Sequence, residues 1–147
     1  MKRSKTFLVA ALMLAALLLP NMAQAMDITQ FDQMTAQDRQ SFIDFLPQAA
    51  ETVLNQEGRS DDAAKVHQLF NAVSSGSNLP LGVGELEMNL DNARVRAVEK
   101  QIKNPNAPRV PVEVALIETL GKNGVQITPD FIRALMQLTG TFKPKHT

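Results

Sequence analysis

The chain has 147 residues, in which 15 Lys+Arg balance 15 Asp+Glu, and it contains no cysteine, tryptophan or tyrosine. Without cysteine it has no thiol nucleophile, no thiolate metal site and no disulfide, so a hydrophobic core must stabilise the fold unaided. Without tryptophan or tyrosine it lacks the flat amphipathic rings on which sugar-binding and peptide-binding clefts rely, which argues against a lectin or a cell-wall glycosidase.

The N-terminal segment, residues 1–25, has the organisation of a bacterial signal peptide. Three basic residues within the first five precede an unbroken apolar run of 13 residues, 7–19. This run is shorter than the roughly 20 residues that a membrane-spanning helix needs. An Ala-Gln-Ala triplet ending at Ala25 matches the small-x-small pattern of signal peptidase sites. We predict cleavage after Ala25, export to the periplasm or the extracellular medium, and no stable membrane anchor afterwards; an uncleaved anchor is the alternative.

The mature chain predicted to begin at Met26 has 12 Lys+Arg and 15 Asp+Glu, a net charge of −3. Its length suits one domain with one modest core. Residues 26–91 carry 11 acidic and 3 basic side chains, whereas residues 92–147 carry 4 acidic and 9 basic side chains. Either these two parts neutralise each other within the fold, or they form a dipolar surface that steers another protein.

The first half of the mature chain predicts two helices after a short lead-in, residues 26–34. Thr35 suits the N-cap of a long amphipathic helix, which Pro47 either kinks or divides into two. Ser60 suits the N-cap of the next helix. Residues 74–84 are rich in serine, glycine, asparagine and proline, and they predict a loop.

Residues 85–103 form the longest predicted helix. Apolar residues recur at helical spacing on the face predicted to be buried, with Val98 and Ile102 as candidates for the same face: Leu86, Leu90, Ala93 and Ala97. Four basic residues fall mostly outside this stripe and are predicted to form a partner-binding surface: Arg94, Arg96, Lys100 and Lys103. The loop 74–84 and the linker 104–110 are further candidate contact regions.

The last part of the domain predicts two helices joined by a glycine-containing turn. Pro111 suits the first position of the earlier helix, and Thr128, followed by proline and aspartate, suits the N-cap of the later one, which ends near Gly140. Alternating valines at positions 110, 112 and 114 leave open an α+β fold with one small hairpin near residues 110–127. Residues 141–147 are predicted to be a flexible tail.

A helix-turn-helix pattern in residues 111–139 raises the question of DNA binding. Its second helix carries a single basic residue, Arg133, where contacts to phosphates would require several. An exported domain also rarely meets genomic DNA. We therefore expect no nucleic-acid partner.

His67 is the one histidine of the predicted domain that could take part in chemistry. Its helical neighbours four residues away, Ala63 and Asn71, are not metal ligands, and Asp62 lies about 140° around the helix. No catalytic, cofactor-binding or metal-binding residue is therefore assigned, and no cofactor is expected. Catalysis would require His67 to meet carboxylates from distant segments.

These patterns predict an all-α fold, a small single-domain bundle of four to six short helices within residues 35–140. The predicted function is that of an exported, non-catalytic protein-interaction module, whether an adaptor, a chaperone-like protein or an inhibitor, that binds another exported protein. The alternative is a small periplasmic hydrolase or metal-binding protein that uses His67 with distant carboxylates. The oligomeric state is left open.

Overall fold

The computed structural model describes residues 26–73 and 76–146, so the predicted signal peptide, residues 1–25, lies outside the described residues. The described residues form six α-helices and no β-strand. The predicted all-α bundle of four to six helices is therefore confirmed. The helices are α1 Ile28–Gln33, α2 Ala36–Gln56, α3 Ser60–Asn71, α4 Leu81–Lys103, α5 Glu113–Lys122 and α6 Pro129–Thr139.

Helix α2 is the centre of the bundle and packs against α3, α5 and α6. The Thr35 hydroxyl accepts a hydrogen bond from the Asp38 amide at 3.2 Å, as expected for an N-cap. The helix continues through Pro47, which is buried, so this proline does not divide the segment into two helices. The side chains that α2 contributes to the core include Phe42, Leu46, Ala49, Ala50, Val53 and Leu54.

The hairpin alternative near residues 110–127 is wrong. Val112 already has helical dihedral angles, and its amide donates to the Met26 carbonyl at 2.9 Å. Helix α5 follows and buries Ala115, Leu116 and Leu120. A strand would bury only alternate residues, whereas a helix buries a continuous stripe of this segment against α4 and α6.

Helix α4 begins at Leu81, four residues before the predicted start, within the segment predicted to be a loop. The reason is packing at Gly82. A Cβ atom added there would lie 2.8 Å from the Leu69 carbonyl oxygen, so the glycine allows α4 to approach the backbone of α3 closely. Glycine therefore acts here as a contact residue inside a helix rather than as a helix breaker.

Both ends of the described chain lie against the bundle. Ile28 and Phe31 of α1 are buried, and the Ile28 amide donates to the Val110 carbonyl at 3.0 Å. In the segment predicted to be a flexible tail, the Phe142 ring lies 5.0 Å from the Phe42 ring, measured between centroids. Further along the same segment, the amides of Lys145 and His146 donate to the Asp38 carboxylate at 3.1 Å and 2.9 Å.

Candidate interaction surface

Exposed apolar side chains are concentrated on α4 and the turn that precedes it. Among the described residues, the large hydrophobic side chains that remain exposed all lie between positions 73 and 102: Val73, Leu79, Leu81, Met88, Val95, Val98 and Ile102. Isolated exposed apolar residues are ordinary on protein surfaces, whereas a contiguous group of them indicates a binding surface.

Four of these residues form a line along α4 with a constant spacing of seven residues. Leu81, Met88, Val95 and Ile102 are 57%, 55%, 58% and 77% exposed, and we call them the α4 stripe. Seven residues make two helical turns less about 20°, so such positions lie nearly in line along one side of a helix. The same spacing is found at the contact line of coiled coils.

The α4 stripe lies on the side of the helix opposite the core. The inward positions of the helix are occupied by Leu86, Leu90 and Ala93, which are at most 4% exposed. Helix α4 is therefore apolar on two opposite sides, only one of which is covered in this structure. The intermediate heptad positions Gly84 and Asp91 are not apolar, so the uncovered surface is narrow in its first half and widens at Val98.

Val98 and Ile102 are two of the exposed residues, so the prediction that they could face inward is wrong. From Arg94 to Lys103 no residue of α4 is fully buried. The inner side of these last turns carries Ala97 and Gln101, which line a small crevice against the segment around Ile28 and Arg109. The core ends near Ala93, and the rest of the helix extends along its edge.

The predicted basic surface divides into two pairs of residues. Arg94 binds the Asp32 carboxylate of α1 through three contacts of 3.0–3.1 Å and the Asp91 carboxylate at 2.7 Å. The hydrogen bonds that Arg94 donates to Asp32 raise the pKa of Arg94, the direction expected for an engaged guanidinium. Arg96 donates to Glu118 of α5 at 2.6 Å. These two arginines stabilise contacts between helices.

Lys100 and Lys103 are the remaining members of the predicted basic surface. They lie in the last turn of α4 and form no salt bridge with another described residue. Positive charge at this position interacts favourably with the negative end of the helix dipole. Lys103 is exposed next to Ile102 at the end of the helix, whereas Lys100 is half-buried and lies about 160° around the helix from Ile102.

A shallow groove of about 390 Å³ borders the α4 stripe. Its apolar floor is formed by Phe31, Ile43 and Leu90, from α1, α2 and α4. Charged side chains surround it, namely Arg39, Glu87, Asp91 and Arg94. Open apolar floors with charged rims suit a protein side chain better than an enclosed small molecule.

His67 meets a carboxylate from another helix, as the alternative hypothesis of a hydrolase or metal site requires. Its Nδ1 atom lies 3.1 Å from Oε1 of Glu51 on α2 and 3.4 Å from the Asn71 amide nitrogen. The His67 side chain is 66% exposed, however, and lies outside the two grooves described above. Within the described residues, no group of three or more His, Asp or Glu is placed to hold a metal ion. The contact between His67 and Glu51 is therefore largely open to solvent on its histidine side.

A buried carboxyl group that the sequence analysis did not single out lies at the start of α5. Glu113 is fully buried, and its Oε2 accepts a hydrogen bond from the Thr139 hydroxyl at 2.6 Å. Burial raises the pKa of Glu113 to about 6, although the hydrogen bonds from Thr139 and from its own amide act in the opposite direction. The Glu113 carboxyl is therefore closed off from solvent in this structure.

Within residues 26–73 and 76–146, none of the helices combines the length and apolarity needed to cross a membrane. Comparisons with protein families, with characterised proteins and with solved structures find no match to this chain.

Proposed function

We propose that this protein is an exported protein-interaction module that binds a partner through α4. The observation that carries the proposal is the α4 stripe, a line of four apolar side chains at heptad spacing, each more than half exposed. Leaving these side chains in water costs free energy that a partner would recover, at roughly 25 cal/mol per Å² of apolar surface buried. The bordering groove and the exposed Lys103 at the end of α4 add shape and charge to this part of the protein.

The proposed role is non-catalytic, in the sense of an adaptor, a chaperone-like protein or an inhibitor. Apolar residues at the centre of a surface with charged residues around it are the usual anatomy of a protein interface. The contact between His67 and Glu51, on α3 and α2, joins a largely exposed histidine to a half-buried carboxylate. We therefore place the functional surface on α4.

Export is the second part of the proposal and is supported by the sequence of residues 1–25. The expected result is that the protein, expressed with its full leader in a bacterium, is recovered outside the cytoplasm with Met26 as its first residue. Intact-mass measurement of the secreted or periplasmic fraction tests this directly. Recovery of the uncleaved chain in the cytoplasm would contradict it.

Site-specific photo-crosslinking tests the binding surface. A photoreactive amino acid at Met88 or Val95 should yield a crosslinked protein band in cells, since both side chains already face solvent and their replacement leaves the core intact. The matched control is Gln68, which is exposed on α3. Equal crosslinking at Gln68 and at the α4 positions, or none at either, would overturn the assignment of the surface.

A further inference from the structure

We propose that, before cleavage, the α4 stripe is covered by the N-terminal segment of the same chain, residues 1–25. In the uncleaved chain the apolar run, residues 7–19, packs along the stripe, and removal of the segment uncovers it. This inference rests on the proposed function, because it concerns the surface that is assigned there to a partner. It makes cleavage after Ala25 the event that allows the partner to bind.

The N-terminal segment is attached beside the last turns of α4. Residues 27–29 line a small crevice together with Ala97 and Gln101 of α4. The Met26 carbonyl accepts a hydrogen bond of 2.9 Å from the amide of the residue that precedes α5, which fixes the point of attachment. Because Gln101 directly precedes Ile102, the segment is attached near that end of the α4 stripe.

The length of the segment suits the stripe. Residues 20–25 can extend to about 20 Å, at about 3.4 Å per residue. This length is enough to pass around half the circumference of a helix about 10 Å in diameter, from the crevice to the stripe. The 13 residues of the apolar run span about 20 Å as a helix, close to the distance of about 21 Å along α4 between Ile102 and Met88.

The point of attachment also sets the direction of the segment. Read backwards from its attachment, the segment starts near Ile102 and runs along the stripe toward Leu81. The apolar run is therefore parallel to α4, with Leu19 beside Ile102. The three basic residues of the first five positions then lie beside residues 85–88, in the first half of α4.

The charges nearest to the stripe suit this occupant. Glu85, Asp91 and Glu99 lie about 50° from the stripe around the helix, and no basic residue of α4 lies as close. The first half of the helix, residues 81–91, contains three acidic residues and no basic residue. The basic start of the N-terminal segment meets this acidic half, whereas its apolar run brings no charge to Glu99.

The arginines of α4 lie farther from the stripe, about 100° around the helix. Arg94 and Arg96 are also engaged within the chain, where they bind carboxylates of α1, α4 and α5. A second copy of α4 would bring its own Asp91 and Glu99 to the same acidic flanks. Charge therefore favours the basic N-terminal segment over self-pairing.

Both surfaces of the proposed contact are apolar. The apolar run has no polar side chain over 13 residues, and the α4 stripe exposes four apolar side chains. Packing removes both from water, which is favourable in proportion to the apolar area buried. Because only residues 20–25 separate the two surfaces, the effective concentration of the run at the stripe is of millimolar order.

Cysteine crosslinking of the 147-residue chain tests this arrangement, because the natural chain contains no cysteine. The chain is refolded from urea without detergent or lipid, diluted, and treated with a short bifunctional thiol reagent. The double variant Thr6→Cys, Met88→Cys should form an intramolecular link in high yield, because the register places these two positions side by side. Aggregation of the refolded chain would overturn the proposal, since a covered apolar run keeps the chain monomeric.

Two control pairs decide whether the contact is specific. Thr6→Cys combined with Ile102→Cys should link at least fivefold less, because these positions lie at opposite ends of the covered stretch. A segment that moves freely would link to Ile102 at least as often as to Met88, since Ile102 lies nearer to the point of attachment. Gln68→Cys, on the exposed side of α3, measures random contact. A yield for Met88→Cys no greater than that of either control would overturn the proposal.

Photo-crosslinking from Met88 in cells separates failure of this inference from failure of the proposed function. Ala25→Leu should block cleavage, because signal peptidase requires a small residue there, and should reduce partner crosslinks at least tenfold. Undiminished crosslinks from this uncleaved chain, or partner crosslinks from the cleaved chain without the link between positions 6 and 88, would overturn the inference and retain the proposed function. The link without any partner crosslink from the cleaved chain would overturn the proposed function and retain the covered stripe.

Discussion

The carboxyl group of Glu113 lies between α5 and α6, where Thr139 is its hydrogen-bond donor and one of its oxygens, Oε1, has no partner among the described residues. An ionised carboxylate in such surroundings is costly because burial removes its hydration. Its pKa of about 6 therefore lies above its ordinary value of 4.5. A carboxyl whose pKa is higher in the folded state stabilises the fold below its unfolded pKa and loses that contribution as the pH rises through its folded pKa.

We predict that Glu113→Gln removes part of the pH dependence of stability. In the natural protein, the free energy of unfolding should fall by about 1 kcal/mol between pH 5 and pH 8 through this group. The variant carries no charge there, so its stability should change less over the same range. Urea titrations of both proteins at several pH values measure the difference. Parallel pH profiles would contradict this prediction.

The pKa of Asp38 is shifted in the opposite direction, downward, for a different reason. Burial by itself would raise the pKa of this carboxyl, but hydrogen bonds from the amides of His146 and Lys145 outweigh it and hold the pKa below its ordinary value. The contribution of Asp38 to stability is therefore present above its unfolded pKa and is lost as the pH falls through its folded pKa. This carboxylate fixes the C-terminal segment to α2.

We predict that Asp38→Ala releases the C-terminal segment. The amides of Lys145 and His146 lose their acceptor, so their hydrogen exchange should accelerate at least tenfold, while exchange in the middle of α2 stays slow. Exchange measured by NMR at pH 6 reports each amide separately. The matched control is Asp61→Ala, which changes an exposed carboxylate on α3 and should leave these two amides unaffected.

At the scale of helices, the contact between α3 and α4 depends on one small residue. A Cβ atom added at Gly82 would lie 2.8 Å from the Leu69 carbonyl oxygen. A Cβ atom added at Gly84 of the same helix would meet no atom of another part of the protein within 4 Å. Alanine favours a helix over glycine by about 1 kcal/mol. The two glycines thus share a helix and differ in their surroundings.

We predict opposite effects of the same substitution at these two positions. Gly82→Ala should destabilise the protein by about 1–3 kcal/mol, because the added methyl group forces α4 away from the backbone of α3. Gly84→Ala should stabilise it by up to about 1 kcal/mol, because it reduces the freedom of the unfolded chain without a clash. Thermal unfolding of both variants measures these two changes in stability. Stabilisation by Gly82→Ala would mean that the two helices do not approach as closely as described.

For the whole molecule, few salt bridges connect the acidic and the basic part of the chain. Among the salt bridges of the described residues, only those of Arg94, with Asp32 and Asp91, join the acidic part, residues 26–91, to the basic part, residues 92–147. The others join residues within one part. Mutual neutralisation through ion pairs is therefore slight, which favours the interpretation of a dipolar surface.

We predict that reversing the charge of Lys103, the exposed lysine at the end of α4, weakens association with the partner. Lys103→Glu should reduce the yield of the α4 photo-crosslinks several-fold at 50 mM salt, and much less at 500 mM, because salt screens exposed charges over a few ångströms. Lys122→Glu makes the same change in net charge at an exposed position elsewhere and is the control. Equal losses in the two variants would show that net charge matters and that its position on α4 does not.

Features that depend on nearby residues could be predicted from the sequence, and features that depend on distant ones could not. The N-caps at Thr35 and Thr128 and five of the six helices follow from local spacing, because a helix forms its hydrogen bonds within about four residues. The basic residues of α4 could likewise be placed outside its inward stripe. Their division into two engaged arginines and two unpaired lysines could not, because it depends on Asp32 and Glu118 in other helices.

Helix α4 shows most clearly which features the sequence alone can predict and which depend on the other helices. Its sequence carries apolar residues on two opposite sides, and periodicity alone states which residues share a side without stating which side meets a neighbour. The position of α3 and α5 decides that Leu86, Leu90 and Ala93 enter the core, and that Val98 and Ile102 remain in solvent. In the same way, Gly82 becomes a helix contact only because the backbone of Leu69 lies against it. Burial is a property of the packed elements together, and it is decided when the helices assemble.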